Sequence, residues 1–122
     1  MKRLDAFWTA CGAAFVACVV YLSVTPDPIR APTVDGFKTG HILAYLWLML
    51  WFCQVARTFP TRGVTAILLC AMGIALEYVQ LATGYRHFAY SDMVDDAIGV
   101  AAGWVLSYTP LGRLEQRLSS LF

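Results

Sequence analysis

Charge is scarce in this chain. Only 14% of its 122 residues are charged, where a soluble domain carries about 25%. The formal net charge is +1, so no basic stripe is available to neutralise the phosphates of a nucleic acid, and nucleic acid is excluded as a partner. The four cysteines, Cys11, Cys18, Cys53 and Cys70, all lie inside apolar runs. No CxxC pair exists and no Cys/His cluster has zinc spacing, so neither a metal site nor a disulfide framework is expected. The cysteines are expected to be small buried hydrophobes. No serine or cysteine nucleophile stands beside a base, so no catalytic residue is assigned, and no cofactor is implied.

What the chain has instead is apolar length. Apolar residues make up 59% of it, and the mean hydropathy is +0.61. Four apolar segments stand out, at about 6–25, 39–56, 63–83 and 93–109. Each approaches the ~20 residues that cross a ~30 Å hydrocarbon layer. The fourth is the shortest and opens on Asp95 and Asp96. After Pro110, Leu111, Leu114, Leu118 and Leu121 recur at helical spacing beside Arg113, Glu115 and Arg117, the pattern of a surface-lying helix. The expectation is an all-α integral membrane bundle: four transmembrane helices in a single domain, 1–122, with a short amphipathic C-terminal helix.

Lys2 and Arg3 ahead of an apolar stretch imitate a signal peptide. The stretch is long, and Pro26-Asp27-Pro28 follows without a small-residue cleavage site, so an uncleaved first span is expected. Pro26, Pro28 and Pro32 make the first connection non-helical. A short basic turn, Arg57 to Gly63, and an aromatic-rich loop, Gly84 to Ser91, make the other two. Six Lys or Arg residues (Lys2, Arg3, Arg57, Arg62, Arg113, Arg117) fall on one side and three (Lys38, Arg86, Arg30) on the other. The positive-inside rule then places both termini in the cytoplasm and the first and third loops outside, for a multi-pass protein of the bacterial cytoplasmic (inner) membrane.

Polar residues inside such spans are expensive. A charge at mid-span costs about 2.5–3.5 kcal/mol on insertion scales, so it marks a functional site or a neutralising partner. Glu77 is the only charged residue between Gly63 and Leu81. Lys38, His41 and Tyr45 share one face of the second span. Gly73, Glu77, Gln80 and Gly84 share one face of the third. Asp92, Asp96, Gly99 and Gly103 share one face of the fourth, with Asp95 at its edge. At 1.5 Å rise per residue, Lys38, Arg86 and Asp92 fall near the outer surface. His41, Gln80 and Asp96 fall a turn below, and Tyr45 and Glu77 deeper still. The match in height points to one outward-facing pocket, with Lys38, His41, Tyr45, Glu77, Gln80, Arg86, Asp92 and Asp96 as candidate ligand-binding residues. Each also has a structural account: Asp92 can cap a helix, Gly99 and Gly103 can let helices pack closely, Tyr85, Phe88 and Tyr90 can anchor the membrane boundary, and Glu77 can pair with Lys38 or Arg86.

Lys38-x-x-His41-x-x-x-Tyr45, Glu77-Tyr78-Val79-Gln80, Arg86, and Asp92 with Gly99 and Gly103 together resemble the VanZ-like family of small membrane proteins. The resemblance runs from about Asp35 to Gly103, and the first span matches only in character. It implies a cell-envelope protein, and a link to low-level teicoplanin (glycopeptide) resistance, with which the family's namesake is associated. It also implies that Lys38, His41, Tyr45, Glu77, Gln80, Arg86 and Asp92 belong to a shared site. One departure is Asp96, where the family usually has Asn; it adds a negative charge to the site.

Three functions compete. A binding module would take an anionic envelope lipid or a lipid-linked precursor, with Lys38 and Arg86 at the rim. An enzyme acting on a lipid phosphate would use His41 with Glu77 or Asp92 as an acid–base pair. A structural subunit of an envelope-assembly complex would meet a membrane-protein partner, or a second copy, through Gly99 and Gly103. Binding is favoured over catalysis. A proton path is the least favoured, because no ionisable residue continues one through the inner halves of the spans.

Overall fold

The computed structural model describes residues 2–24, 34–83 and 90–121, with the side chains of 4–24, 40–83 and 90–121. Every element among them is helical. The order is α1 (Lys2–Val24), α2 (Val34–Cys53), α3 (Phe59–Thr83), α4 (Tyr90–Leu106), a 3-10 turn (Pro110–Arg113) and α5 (Leu114–Ser119). The all-α expectation is met. Two helices, at Leu4–Val24 and Phe59–Thr83, are long and apolar enough to cross a membrane; the apolar part of α2, Gly40–Cys53, is shorter. The proline-rich connection, and the loop holding Gly84, Tyr85, Arg86 and Phe88, lie outside the described residues.

The turn expected at Arg57 to Gly63 is shorter than its sequence suggests, because α3 begins at Phe59. Thr58 and Thr61 account for this. The Thr61 N–H donates to Thr58 Oγ1 at 3.3 Å and the Thr58 N–H donates to Thr61 Oγ1 at 3.1 Å, a reciprocal cap for the free amides of a first turn. Pro60 fits there because the amide it lacks has no helical partner at that position. Arg62 is thereby drawn into the helix.

The tail also differs from expectation. Its helical part is six residues, Leu114–Ser119, entered through the 3-10 turn. Pro110 and the Thr109 side chain, which accepts from the Leu111 N–H, set that entry. Leu111, Leu114, Leu118 and Leu121 face outward while Glu115 turns in.

Packing is closest between α2 and α4, which run parallel. A Cβ at Gly99 would strike the Ile42 carbonyl and lie 3.0 Å from Leu46 N and from Tyr45 Cβ. A Cβ at Gly103 would lie 2.6 Å from the Leu46 carbonyl oxygen and 2.8 Å from Met49 Cβ. Only bare backbone allows this approach. Gly99 and Gly103 thus serve the close helix packing that their spacing allows, with α2 of the same chain as the partner helix.

Tyr45, Leu48, Met49 and Cys53 of α2 form the core with Ala66 and Leu69 of α3 and Val100 of α4. α1 is fastened to α2 by two tryptophans. The Trp8 and Trp51 rings stack with centroids 3.9 Å apart. Each indole N–H donates to the other residue's carbonyl, at 2.9 and 2.8 Å.

The exterior is apolar. Phe7, Leu43, Trp47, Val64, Ile67, Leu68, Leu81, Ile98 and Val105 are exposed, while Gln54, Arg62, Glu77, Gln80, Asp95, Asp96, Ser107 and Glu115 are buried. So large an apolar exterior is costly in water and suits a hydrocarbon surrounding.

Candidate functional site: a histidine among carboxylates

The 3.6-residue period places His41 and Tyr45 on one face of α2 and Asp92 and Asp96 on one face of α4. The parallel seam brings those faces together. His41 Nδ1 lies 2.8 Å from Asp96 Oδ1, and His41 Nε2 lies 3.9 Å from Asp92 Oδ2. One carboxylate thus addresses each ring nitrogen. Because a carboxylate accepts, the proton of the His41–Asp96 bond belongs on Nδ1. His41 is partly open to the surface, whereas Asp96 is closed in, its side chain 3% exposed.

The third wall is α3. Its buried residues Ala66, Leu69, Gly73, Leu76, Glu77 and Gln80 form one stripe. Gly73 makes room for Asp96: a Cβ there would sit 2.6 Å from Asp96 Oδ2. Glu77, a turn further on, is 2% exposed and bears electrostatically on both His41 and Tyr45. Tyr45 is buried against Gly99 in the core.

Two residues depart from their expected places. Asp95, expected at the edge of its face, is buried, and among the described residues its Oδ2 has no hydrogen-bond partner. Such an oxygen is costly in a dry interior, and it marks a place where a donor is wanted. Gln80 sits on the expected stripe but reaches α1, its amide donating to the Ser23 carbonyl at 2.6 Å. The Lys38 side chain and Arg86 lie outside the described residues.

The site therefore gathers His41, Tyr45, Glu77, Asp92 and Asp96 from three helices. Among the described residues, no three His, Cys, Asp or Glu side chains converge as a metal site would require. The arrangement offers hydrogen-bond acceptors and one oriented imidazole.

A second polar cluster lies at the other end of the bundle, and sequence spacing gave little sign of it. Gln54 is 1% exposed. Its amide donates to the Leu50 and Leu111 carbonyls at 3.1 and 2.8 Å, and its oxygen accepts from the Glu115 N–H at 3.2 Å. Arg57 donates to Asp5 at 2.9 Å and to the buried Glu115 at 2.7 Å. The hydrogen bond to Asp5 first, and the one to Glu115 after it, push the guanidinium's pKa above its ordinary value, against the opposing effect of burial. Arg62 donates to the Ala56 and Cys53 carbonyls at 2.8 and 3.2 Å and lies over the Tyr108 ring, 4.9 Å from its centroid. The only local signal was the inward-facing Glu115 between leucines. The partners of Gln54 and Glu115 are 57 and 58 residues away, beyond any periodicity.

No protein-family model matches this chain, and neither a curated protein nor a solved structure matches it.

Proposed function

We propose that this chain is a small four-span protein of the bacterial cytoplasmic membrane, VanZ-like in its polar pattern, with both termini inside. Its His41–Asp96 pocket binds the polar headgroup of an envelope lipid or lipid-linked precursor. The observation that carries this is the His41–Asp96 pair, with His41 partly open to the surface and its Nε2 3.9 Å from Asp92. A hydroxyl, amide or ammonium of a headgroup would find acceptors there. Lys38 and Arg86, assigned to the rim from spacing alone, would take the phosphate.

Support for the spans comes from the inverted distribution of polar and apolar side chains. Helix length adds to it. The 20 residues of α2 rise about 30 Å at 1.5 Å each, and the 17 of α4 meet the lower limit for crossing.

Native mass spectrometry of the detergent-extracted protein tests the proposal. Wild type retains a lipid, and Glu77→Ala and Arg86→Ala lose it at unchanged protein level. Equal lipid recovery from all three overturns it.

A second reading, an enzyme acting on the same lipid, is favoured by the 2.8 Å His41–Asp96 bond. That bond would orient the imidazole as a general base, as a carboxylate does for a catalytic histidine. Product formed from a lipid phosphate by wild type and not by His41→Ala establishes it; product formed equally by both removes His41 from the role.

A further inference from the structure

We infer that the end of the bundle opposite His41 carries a second binding site, a basic cavity for a phosphate group. Arg62 and Glu77 stand 15 residues apart on α3, which separates the two sites by about 22 Å along the helix. A cavity of about 250 Å³ opens there between the α2–α3 turn and the tail, walled by Arg57, Arg62, Arg113, Ser107, Tyr108 and Gln116.

The charges around this cavity do not balance. Asp5 and Glu115 both engage Arg57. Among the described residues, Arg62 is met by neutral carbonyls and the Tyr108 ring. Among the described residues no carboxylate forms an ion pair with Arg62 or Arg113. Three guanidiniums face two carboxylates, and the excess is positive. Arg62 is held rigidly, 7% exposed, so its fork is oriented before any ligand arrives. Planar guanidinium forks match phosphate oxygens better than any other side chain. Tyr108 and Gln116 add polar groups to the wall.

The volume is below the 300–1,000 Å³ of a typical drug-sized pocket, so it fits a headgroup rather than a whole lipid. Exposed Leu111 and Leu114 flank the lining residues Gly112 and Arg113 along the chain. An apolar rim around a basic cavity is the arrangement that holds an anionic headgroup between helices at the membrane surface. A free phosphate has the same recognising chemistry, and the experiment separates the two sources.

The full chain is reconstituted in nanodiscs of phosphatidylcholine with rising phosphatidylglycerol, and retained lipid is read by native mass spectrometry. Thermal unfolding is followed in parallel with rising inorganic phosphate. Arg113→Glu is the main variant, because Arg113 is exposed and has no structural partner among the described residues. Arg62→Gln is the second, because its amide nitrogen stands where Nε stood and keeps a donor for the Ala56 carbonyl. Wild type is expected to retain phosphatidylglycerol over phosphatidylcholine, and each variant to weaken that retention about tenfold, the equivalent of one charge-assisted hydrogen bond. Protection from unfolding by inorganic phosphate, lost in Arg113→Glu without any lipid preference, assigns the site to a free phosphate. Equal retention of both lipids with no effect of phosphate overturns the proposal. So does an Arg113→Glu protein that behaves as wild type. Arg62 and Arg113 take no part in the first pocket, so a loss of retention in these variants belongs to this cavity, and their failure to lose it leaves the reading of the first pocket standing.

Discussion

Gly99→Ala would add one methyl group to the close backbone contact between α2 and α4. Its Cβ would strike the Ile42 carbonyl and come within 3.0 Å of Leu46 N and Tyr45 Cβ, where ordinary contact begins at 3.4 Å. Two of those three atoms are backbone, so no side chain can rotate away. The helices must part instead. A radial gap of about 0.5–1 Å already forfeits a quarter to a half of each dispersion contact across it. The α2–α4 seam is the most extensive interface in the bundle, so the loss is spread along several turns. Overpacking of this kind costs about 1–3 kcal/mol. The site shares the damage, because α2 would carry His41 away from Asp96, 2.8 Å distant. Unfolding in mixed micelles of rising SDS fraction measures the cost. Ala101→Leu, at an exposed position on the same helix, is the control and should stay within about 0.5 kcal/mol of wild type. If Gly99→Ala is as stable as the control, the helices are not in the contact described.

Two more outcomes follow. Glu115 is 1% exposed while Arg57 is 39% exposed, so Arg57→Ala should cost about 1–3 kcal/mol by stranding a buried carboxylate, and Asp5→Ala under about 1 kcal/mol. Trypsin cleavage at Arg113 or Arg117 should quicken in Arg57→Ala alone, and equal digestion of both variants would contradict the latch. Trp8→Phe and Trp51→Phe each remove one of two reciprocal hydrogen bonds and part of one stack. Each should cost about 1 kcal/mol, with a double variant clearly short of additive, as read by chemical unfolding.

Helical period carried much of this fold into the sequence. His41 and Asp96 were expected at one height and lie 2.8 Å apart. Gly73, Glu77 and Gln80 were expected on one stripe of α3 and are all buried there. These follow from the regular rise and rotation of a helix, which are local properties. What stayed hidden depends on contacts across the chain. Asp95 looked peripheral because spacing cannot weigh how deeply two glycines let α2 approach α4. Gln80 was assigned inward by its stripe, yet a long amide can reach a neighbouring carbonyl. The tail's six-residue helix depends on Glu115 finding Arg57 and Gln54, and no window of neighbouring residues contains that information. That four helices cross a membrane remains a proposal resting on apolar length and on the inverted surface.

Arg57 also imposes an order of events. Asp5 is 52 residues before it and Glu115 is 58 residues after it. During synthesis the first carboxylate is available long before the second, since chains fold from the N-terminal side as they emerge. Until α5 arrives, the guanidinium holds only its exposed partner, and the end of α2 lacks the tail carbonyl and amide that Gln54 binds. The tail half of the clasp therefore cannot close before α4 and the 3-10 segment have been made. A nascent protein with α4 misplaced would leave Glu115 far from Arg57 and the basic cavity unwalled on one side, so the tail reports whether assembly is complete.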